Sequence, residues 1–320
     1  IMIFSEGSTE MVKRLRPLQK GIGRIALGAL DNDPGLKNLV IVPIGVNYTD
    51  APRWRSKVMI KVGKPIPVEP LFSKFEENSN QGVIHLLDSI YPKIKENIIC
   101  IDNPQNEKLS EEFFQLWRTN NYRFSWGSLQ HTEKQLNTEK TIAYQIDHLP
   151  NSKREEIEHL SNSYFKKLQE SGLTDWGLFH YKKGAWVRSI FFLLGALPFL
   201  LGFLFNAIPF FAGKSITDKT VKKIEFYAPV RIGAGLLSFL VYYFIVILVL
   251  IFTGWWWLII FPILGWMAVF YWDLFQDWQK ANKVYRLSTQ TRNDLLKARE
   301  QVNQHLSQLS DKSALQSLNS

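Results

Sequence analysis

The sequence predicts two kinds of structure in one chain: an α/β block at the N-terminal end and a helical, membrane-embedded region toward the C-terminus. Three observations predict it. Leu39–Tyr48 (LVIVPIGVNY) is a continuous apolar run rich in β-branched residues, the pattern of a strand covered on both faces. A polar stretch with helical patterning follows. Beyond Lys182 come long uncharged runs, and about 20 apolar residues suffice to cross a bilayer. Composition agrees, because 46% hydrophobic and 14% aromatic residues beside 21% charged ones fit a soluble part joined to a membrane part. Cys100 is the single cysteine, which excludes an internal disulfide or a cysteine-built zinc site; neither metal nor cofactor is expected. The net charge of +9 fits an anionic membrane surface, since the basic residues cluster beside the apolar runs. No nucleic-acid recognition motif accompanies them, so no nucleic-acid partner is expected.

The α/β block is expected to occupy residues 1–70. Ile1–Phe4 reads as the end of a buried strand. Leu18, Ile22, Ile25, Ala26 and Ala29 fall at helical spacing, and Gly21 and Gly23 in that segment imply close packing against a sheet. Pro43 inside the apolar run implies an edge or a bulge. VMIKVG (58–63) reads as a further strand, and GKPIPVEP (63–70) closes the block with three prolines. Residues 71–185 are expected to be mostly helical, with loops or helix starts at FEENSNQG, IDNPQNE and HLPNSKREE. His131, His148 and His159 in this region are expected to be solvated surface residues.

Residues 186–213 form a re-entrant or transmembrane segment by composition: Ser189–Ala212 carries no charge but is interrupted by Pro198, Asn206 and Pro209. Residues 232–273 are expected to make two transmembrane helices in a hairpin, with Trp255, Trp256 and Trp257 at the far interface. Basic residues flank these runs at Lys182, Lys183 and Arg188, at Lys214, Lys219, Lys222, Lys223 and Arg231, and at Lys280, Lys283, Arg286 and Arg292. All three flanks face the cytoplasm only if residues 189–212 dip in and return, so a re-entrant hairpin is the expectation. The protein is then multi-pass in a cytoplasmic (inner) membrane, or its eukaryotic endoplasmic-reticulum equivalent, with the soluble part facing the cytoplasm. Residues 274–320 read as a cytoplasmic helical tail with an apolar stripe at Leu287, Leu295, Leu296, Val302 and Leu306.

Several short matches carry no chemistry. Gly21-Ile-Gly23-Arg-Ile-Ala26 lacks the preceding strand and following acidic residue of a dinucleotide site. Gly213-Lys214-Ser215 has Ile208 where a P-loop needs glycine. Asn47-Tyr-Thr49, a formal glycosylation site, ends the strand expected to be buried. What remains is IFSEGSTEMVKRLRPLQKGIGRIAL, then IVPIGVNY, then VGKPIPV. In that order and spacing the chain resembles the PlsC-type glycerolipid acyltransferases. Phe4-Ser5-Glu6-Gly7 is similar to that family's Phe-Pro-Glu-Gly block and Val42-Pro43 to its Val-Pro block. Leu15–Gly21 is similar to the segment between them, especially in the branch acting on glycerol 3-phosphate.

The resemblance implies a truncated PlsC-type acyltransferase domain. It implies transfer of a fatty acyl group from acyl-CoA or acyl-carrier protein to glycerol 3-phosphate or 1-acylglycerol 3-phosphate, in phospholipid biosynthesis and among membrane lipids. Its substrate-binding residues would be Ser5, Glu6, Gly7, Arg16, Lys20 and Pro43. Gly7 permits close backbone approach, Arg16 or Lys20 pairs with a phosphate, and Glu6 accepts from a glycerol hydroxyl or fixes the loop. Ser5 replaces the family's Pro. Thr9 stands where many members have Arg, which leaves Arg14 and Arg16 as alternative cations.

The family's general base is a His with an Asp five positions later. Here the residues five beyond His85, His131, His148, His159, His180 and His305 are Ile90, Leu136, Lys153, Tyr164, Ala185 and Ser310. The catalytic pair is therefore expected upstream of Ile1, and the chain as given is expected to be inactive. A non-enzymatic, membrane-anchored lipid-binding adaptor is the alternative.

Overall fold

The computed structural model describes residues 1–320 apart from 9, 34, 37, 51–55, 123–131, 183–184 and 311–320. The chain divides into two compact units. The first comprises Ile1–Phe114, Arg123–Arg154 and Leu306–Ser320; the second comprises Gln115–Tyr122 and Glu155–His305.

Helix α1 (Gly21–Asn32) opens the regular structure of the first unit, followed by strands β1 (Val40–Ile41), β2 (Ile44–Tyr48), β3 (Val58–Val62) and β4 (Ile66–Pro67). Helices α2 (Ser73–Glu77), α3 (Ser79–Lys95), α4 (Glu107–Asn120), α5 (Glu133–Asp147) and α6 (Asn151–Glu170) come next, α4 passing into the second unit after Phe114 and α6 after Arg154. Asn78 caps α3, its side chain accepting from the Asn80 and Gln81 amides at 3.1 Å. Such a cap satisfies donors that a helix start leaves free. Asn78 lies within FEENSNQG, so that boundary was readable.

The α/β expectation holds only in part. Among the described residues the strands form two antiparallel pairs, β1 with β4 and β2 with β3, while helix dominates. Pro43 breaks the Leu39–Tyr48 run into β1 and β2, as its missing N–H requires. Ile1–Phe4 pairs with no strand, and Ile1, Met2 and Phe4 are strongly exposed. The buried strand expected there is absent because no described strand lies beside it.

Helix α1 packs on α3 through Ala26, Leu27 and Leu30 against Val83, Leu86, Leu87 and Ile90, with Val68 completing the cluster. This corrects two expectations. Gly23 approaches Val83 of helix α3, not a sheet: a Cβ there would lie 2.9 Å from the Val83 Cγ1. The buried face is Gly23, Ala26, Leu27 and Leu30, so Ile25 is exposed.

The β2–β3 pair is covered on one face only. Gly45, Asn47 and Met59 point inward. Outward stand the cross-strand pairs Ile44–Val62, Val46–Ile60 and Tyr48–Val58, all exposed. The expectation of cover on both faces fails because, in this unit, α3 packs behind β2 and no described element covers the other side. Inward, Asn47 donates to the Asn97 carbonyl at 3.1 Å and accepts from the Ile99 amide at 2.7 Å. Gly45 lies so close that any Cβ would overlap the Asn97 carbonyl. Gly45→Ala is therefore expected to destabilise the unit by about 3 kcal/mol, the upper part of the overpacking range, read as a lower denaturation midpoint in detergent.

In the second unit α7 (Asp175–His180), α8 (Ala185–Thr220), α9 (Tyr227–Thr253), α10 (Ile260–Lys283) and α11 (Thr289–Leu309) follow α6. Leu295 and Val302 of the anticipated tail stripe are buried. His148 and His159 are exposed as expected, and His131 lies outside the described residues.

Residues 185–220 form one uninterrupted helix, which corrects the re-entrant hairpin. Two of the three residues taken as breaks, Pro209 and Asn206, are absorbed by packing. Pro209 deprives the Phe205 carbonyl of its helical donor, and the Tyr242 hydroxyl of α9 supplies a replacement at 2.7 Å. Asn206 is buried, donating to the Gly202 carbonyl at 2.8 Å and to the Phe261 carbonyl of α10 at 3.2 Å, and accepting from Tyr243. Pro198 sits within the same helix. The expected α9–α10 hairpin is also altered: each packs principally on α8.

Among the described residues three spans, Ser189–Thr220, Ile224–Thr253 and Trp256–Arg286, are long and apolar enough to cross a membrane. Their most apolar windows are only 17%, 6% and 6% buried. Side chains such as Leu240, Phe244, Ile251 and Ile263 thus face outward, where water would be a poor solvent and hydrocarbon a good one.

Candidate substrate-binding site

The residues singled out near the N-terminus lie in the first unit, and most of them converge. Phe4–Gly7 closes a tight turn in which the Gly7 amide donates to the Phe4 carbonyl at 3.2 Å. Gly7 has φ +73°, a conformation that glycine adopts without Cβ strain. The turn lies against the Leu15–Gly21 segment. The Gln19 amide donates to the Ser5 carbonyl at 2.7 Å, and a Cβ on Gly7 would come within 2.8 Å of the Gln19 Cγ. Both blocks of the sequence motif therefore form one local structure.

Arg16 holds it together. Its Nε donates to Glu6 Oε2 at 2.9 Å and its backbone amide to Glu6 Oε1 at 3.4 Å. Its Nη1 donates to Ser8 Oγ and to Glu10 Oε1, both at 2.7 Å, and its Nη2 to the Ser8 carbonyl. A planar guanidinium suits such forked contact. With a side chain 18% exposed between two carboxylates, Arg16 is committed to the loop. A phosphate would have to displace Glu6 or Glu10 to reach it.

Lys20 differs. It is exposed, sits at the cap position of α1, and donates to the neutral side-chain oxygen of Asn80 at 2.9 Å. It can exchange that amide for an anion at little cost. Arg14 is partly buried on the same segment. Thr9 lies outside the described residues.

Pro43 stands apart from this loop. It is buried, and its carbonyl accepts from the Gly63 amide at 2.8 Å and from Asn97 Nδ2 at 3.2 Å. Lys13, between the two blocks, pairs with Glu111, and its carbonyl accepts from the Ile101 amide at 2.6 Å. The Tyr91 hydroxyl donates to the Leu15 carbonyl at 3.2 Å. These contacts fix the course of residues 13–15 beneath the loop. Ser8, Glu10 and Gln19 were not anticipated from the sequence; only the contacts of Arg16 and Gly7 reveal them.

Nearby charges are also ordered. Lys95 and Asp102 meet at 2.9 Å through both carboxylate oxygens. That bond holds the Asp102 carboxyl below its ordinary range and raises the Lys95 ammonium. Burial pushes the Cys100 thiol up, so it is a poor nucleophile at neutral pH.

Comparison with known proteins places the similarities of this chain among acyltransferases. Glycerol-3-phosphate O-acyltransferase 1 of Saccharomyces cerevisiae is 34% identical over 106 residues, 32% of this chain and 14% of that protein. Glycerol-3-phosphate O-acyltransferase 2 of the same yeast is 32% identical over 89 residues, 28% of this chain and 12% of the relative. An uncharacterized acyltransferase of Schizosaccharomyces pombe is 28% identical over 111 residues, covering 34% and 16%. The matched region thus spans between 12% and 16% of these relatives' own length. No protein-family model matches the chain, and no solved structure does.

Proposed function

We propose that this chain carries the acceptor-binding part of a membrane-bound glycerolipid acyltransferase, one that acylates glycerol 3-phosphate or 1-acylglycerol 3-phosphate. The observation that carries this reading is the similarity to two glycerol-3-phosphate acyltransferases over about a third of the chain. The closed Glu6–Arg16 loop, with Lys20 beside it, supplies chemistry suited to such an acceptor.

In this reading Lys20 receives the phosphate, with backbone amides of the turn other than that of Gly7, which donates to the Phe4 carbonyl. Glu6 keeps a free lone pair on each oxygen despite Arg16 and accepts from a glycerol hydroxyl. Arg16 positions the loop; it does not bind the phosphate itself. The reacting hydroxyl attacks the thioester carbonyl of acyl-CoA or acyl-carrier protein. A C–O ester bond forms, the C–S bond breaks, and the hydroxyl proton passes to a general base. None of the six histidines here has an Asp five positions on, so residues 1–320 alone are expected to turn over no substrate. The apolar helices anchor the chain in the membrane, where lipid substrate resides.

The test extends the coding sequence in both directions to the flanking stop codons and expresses that product. Its membranes are supplied with acyl-CoA or acyl-carrier protein and labelled glycerol 3-phosphate, then 1-acylglycerol 3-phosphate. Ester product with either acceptor is expected. No product from any pairing would end the enzymatic reading.

One observation favours a second reading, a non-catalytic lipid-binding adaptor: the same lack of a His–Asp pair. Inactive membranes that still retain glycerol 3-phosphate, and lose it on Lys20→Ala, would select the adaptor.

A further inference from the structure

Within the second unit, the chain on either side of the three apolar helices is locked together. Ahead of them, Asp175 is fully buried in α7; beyond them, Arg299 of α11 donates to it through Nε at 2.7 Å and Nη2 at 3.3 Å. The same guanidinium reaches Asn120 Oδ1 at 2.7 Å and lies 4.3 Å from the Phe179 ring centroid. Tyr285 donates to the Tyr181 carbonyl at 3.0 Å, and Gly177 packs on the Lys280 carbonyl so closely that a Cβ would sit 2.6 Å from it. A buried carboxylate and its cation cannot lie on opposite sides of a bilayer.

We infer that the segments before α8 and after α10 occupy the same face of the membrane, so that α8, α9 and α10 together make two crossings and not three. The inference rests on the membrane reading of these helices.

The packing indicates how the count comes to two. Helix α8 meets α10 antiparallel, through Phe192 with Phe275, Phe199 with Tyr271 and Gly202 with Leu264. It meets α9 antiparallel as well, through Phe205 with Tyr242 and Gly213 with Gly235. Helices α9 and α10 therefore run in the same general direction. Only residues 254–259 join them, a span of at most about 21 Å when extended, short of the roughly 30 Å hydrocarbon core. Two complete crossings in one direction would require that link to run back through the whole core. Helix α8, about 54 Å long at 1.5 Å per residue, makes one crossing; α9 and α10 in succession make the return. The shared face then carries seven flanking basic residues (Lys182, Lys183, Arg188, Lys280, Lys283, Arg286 and Arg292) against five on the other (Lys214, Lys219, Lys222, Lys223 and Arg231). That bias marks the shared face as cytoplasmic.

The test places single cysteines in a Cys100→Ser background at three exposed lysines: Lys167→Cys in α6, Lys219→Cys at the end of α8 and Lys297→Cys in α11. Sealed vesicles of known orientation receive a membrane-impermeant maleimide, with detergent-opened vesicles giving full labelling. Positions 167 and 297 are expected to react from one face and 219 from the other. Labelling of 167 and 297 from opposite faces, or of 219 from their face, overturns the inference. Release of the chain from the vesicles by alkaline carbonate would instead remove the membrane reading beneath it.

Discussion

Arg16→Ala is expected to lower kcat/KM for the phosphorylated acceptor by about a hundredfold in any product of the coding sequence that shows the proposed acyltransferase activity, the scale on which misplacing a binding group by about 1 Å reduces turnover. The cause is loss of shape. Without the guanidinium, Glu6 and Glu10 face each other with no cation between them, and Ser8 loses both its side-chain and carbonyl partner. Glu6→Ala should act similarly, because it frees Arg16 from the turn it anchors. Arg16→Lys should recover only part of the activity, since one ammonium cannot reproduce contacts made by Nε, Nη1 and Nη2. The decisive comparison is the double variant Glu6→Ala/Arg16→Ala. If the pair acts as one clamp, the double loss is close to either single loss, and the coupling measured by the cycle is large. If Arg16 instead binds the phosphate on its own, the losses multiply, and Arg16→Ala raises KM while leaving kcat near its starting value. Lys20→Ala supplies the contrast: its ammonium donates to the neutral amide of Asn80, so its removal should raise KM without disturbing the loop.

Much of the geometry of this loop was readable because its parts are close in sequence. Glu6, Gly7 and Arg16 lie within a dozen residues, and a glycine after an acidic residue already signals a turn at positive φ. The roles were harder to read. Arg16 had the chemistry of a phosphate ligand, and only the carboxylates of Glu6 and Glu10 around it show that it is occupied. Glu10 and Ser8 carried no pattern that could have marked them.

Apolar periodicity was informative where one face is buried, as at Leu295 and Val302 in α11. It misled where both faces are apolar: Leu39–Tyr48 implied two covered faces, yet Ile44, Val46 and Tyr48 stand exposed. Prolines misled in the membrane region. Pro209 and Asn206 look like breaks when the helix is considered alone. They are tolerated because Tyr242, Tyr243 and the Phe261 carbonyl, on other helices, meet the freed polar groups. Such compensation is tertiary and leaves no local trace.

The Asp175–Arg299 pair carries the largest stability effect expected in the second unit. Asp175 is 0% and Arg299 5% exposed, and removing one partner of a buried pair costs about 3–5 kcal/mol, because the other charge is stranded. Against a typical total of about 5–15 kcal/mol, Arg299→Ala should remove a large share of the stability of this unit. Asp175→Asn should be nearly as harmful, since Arg299 would keep neutral partners such as Asn120 and the Phe179 ring but lose its buried counter-charge. Tyr164 sharpens the case. It donates to Asp175 Oδ1 at 2.6 Å, and burial, with the Asp175 charge adding, raises its hydroxyl far above the ordinary range. Tyr164 therefore stays neutral and donates at any working pH, and Tyr164→Phe should cost about 1–3 kcal/mol, less than loss of the ion pair. Heating detergent extracts and measuring the remaining monodisperse protein gives the order expected: wild type, then Tyr164→Phe, then Asp175→Asn and Arg299→Ala. A double apolar replacement, Asp175→Leu with Arg299→Met, should lose less than either single ionic variant, because no charge is left buried without a partner. Equal losses for all four variants would mean that these positions act through shape and not through charge.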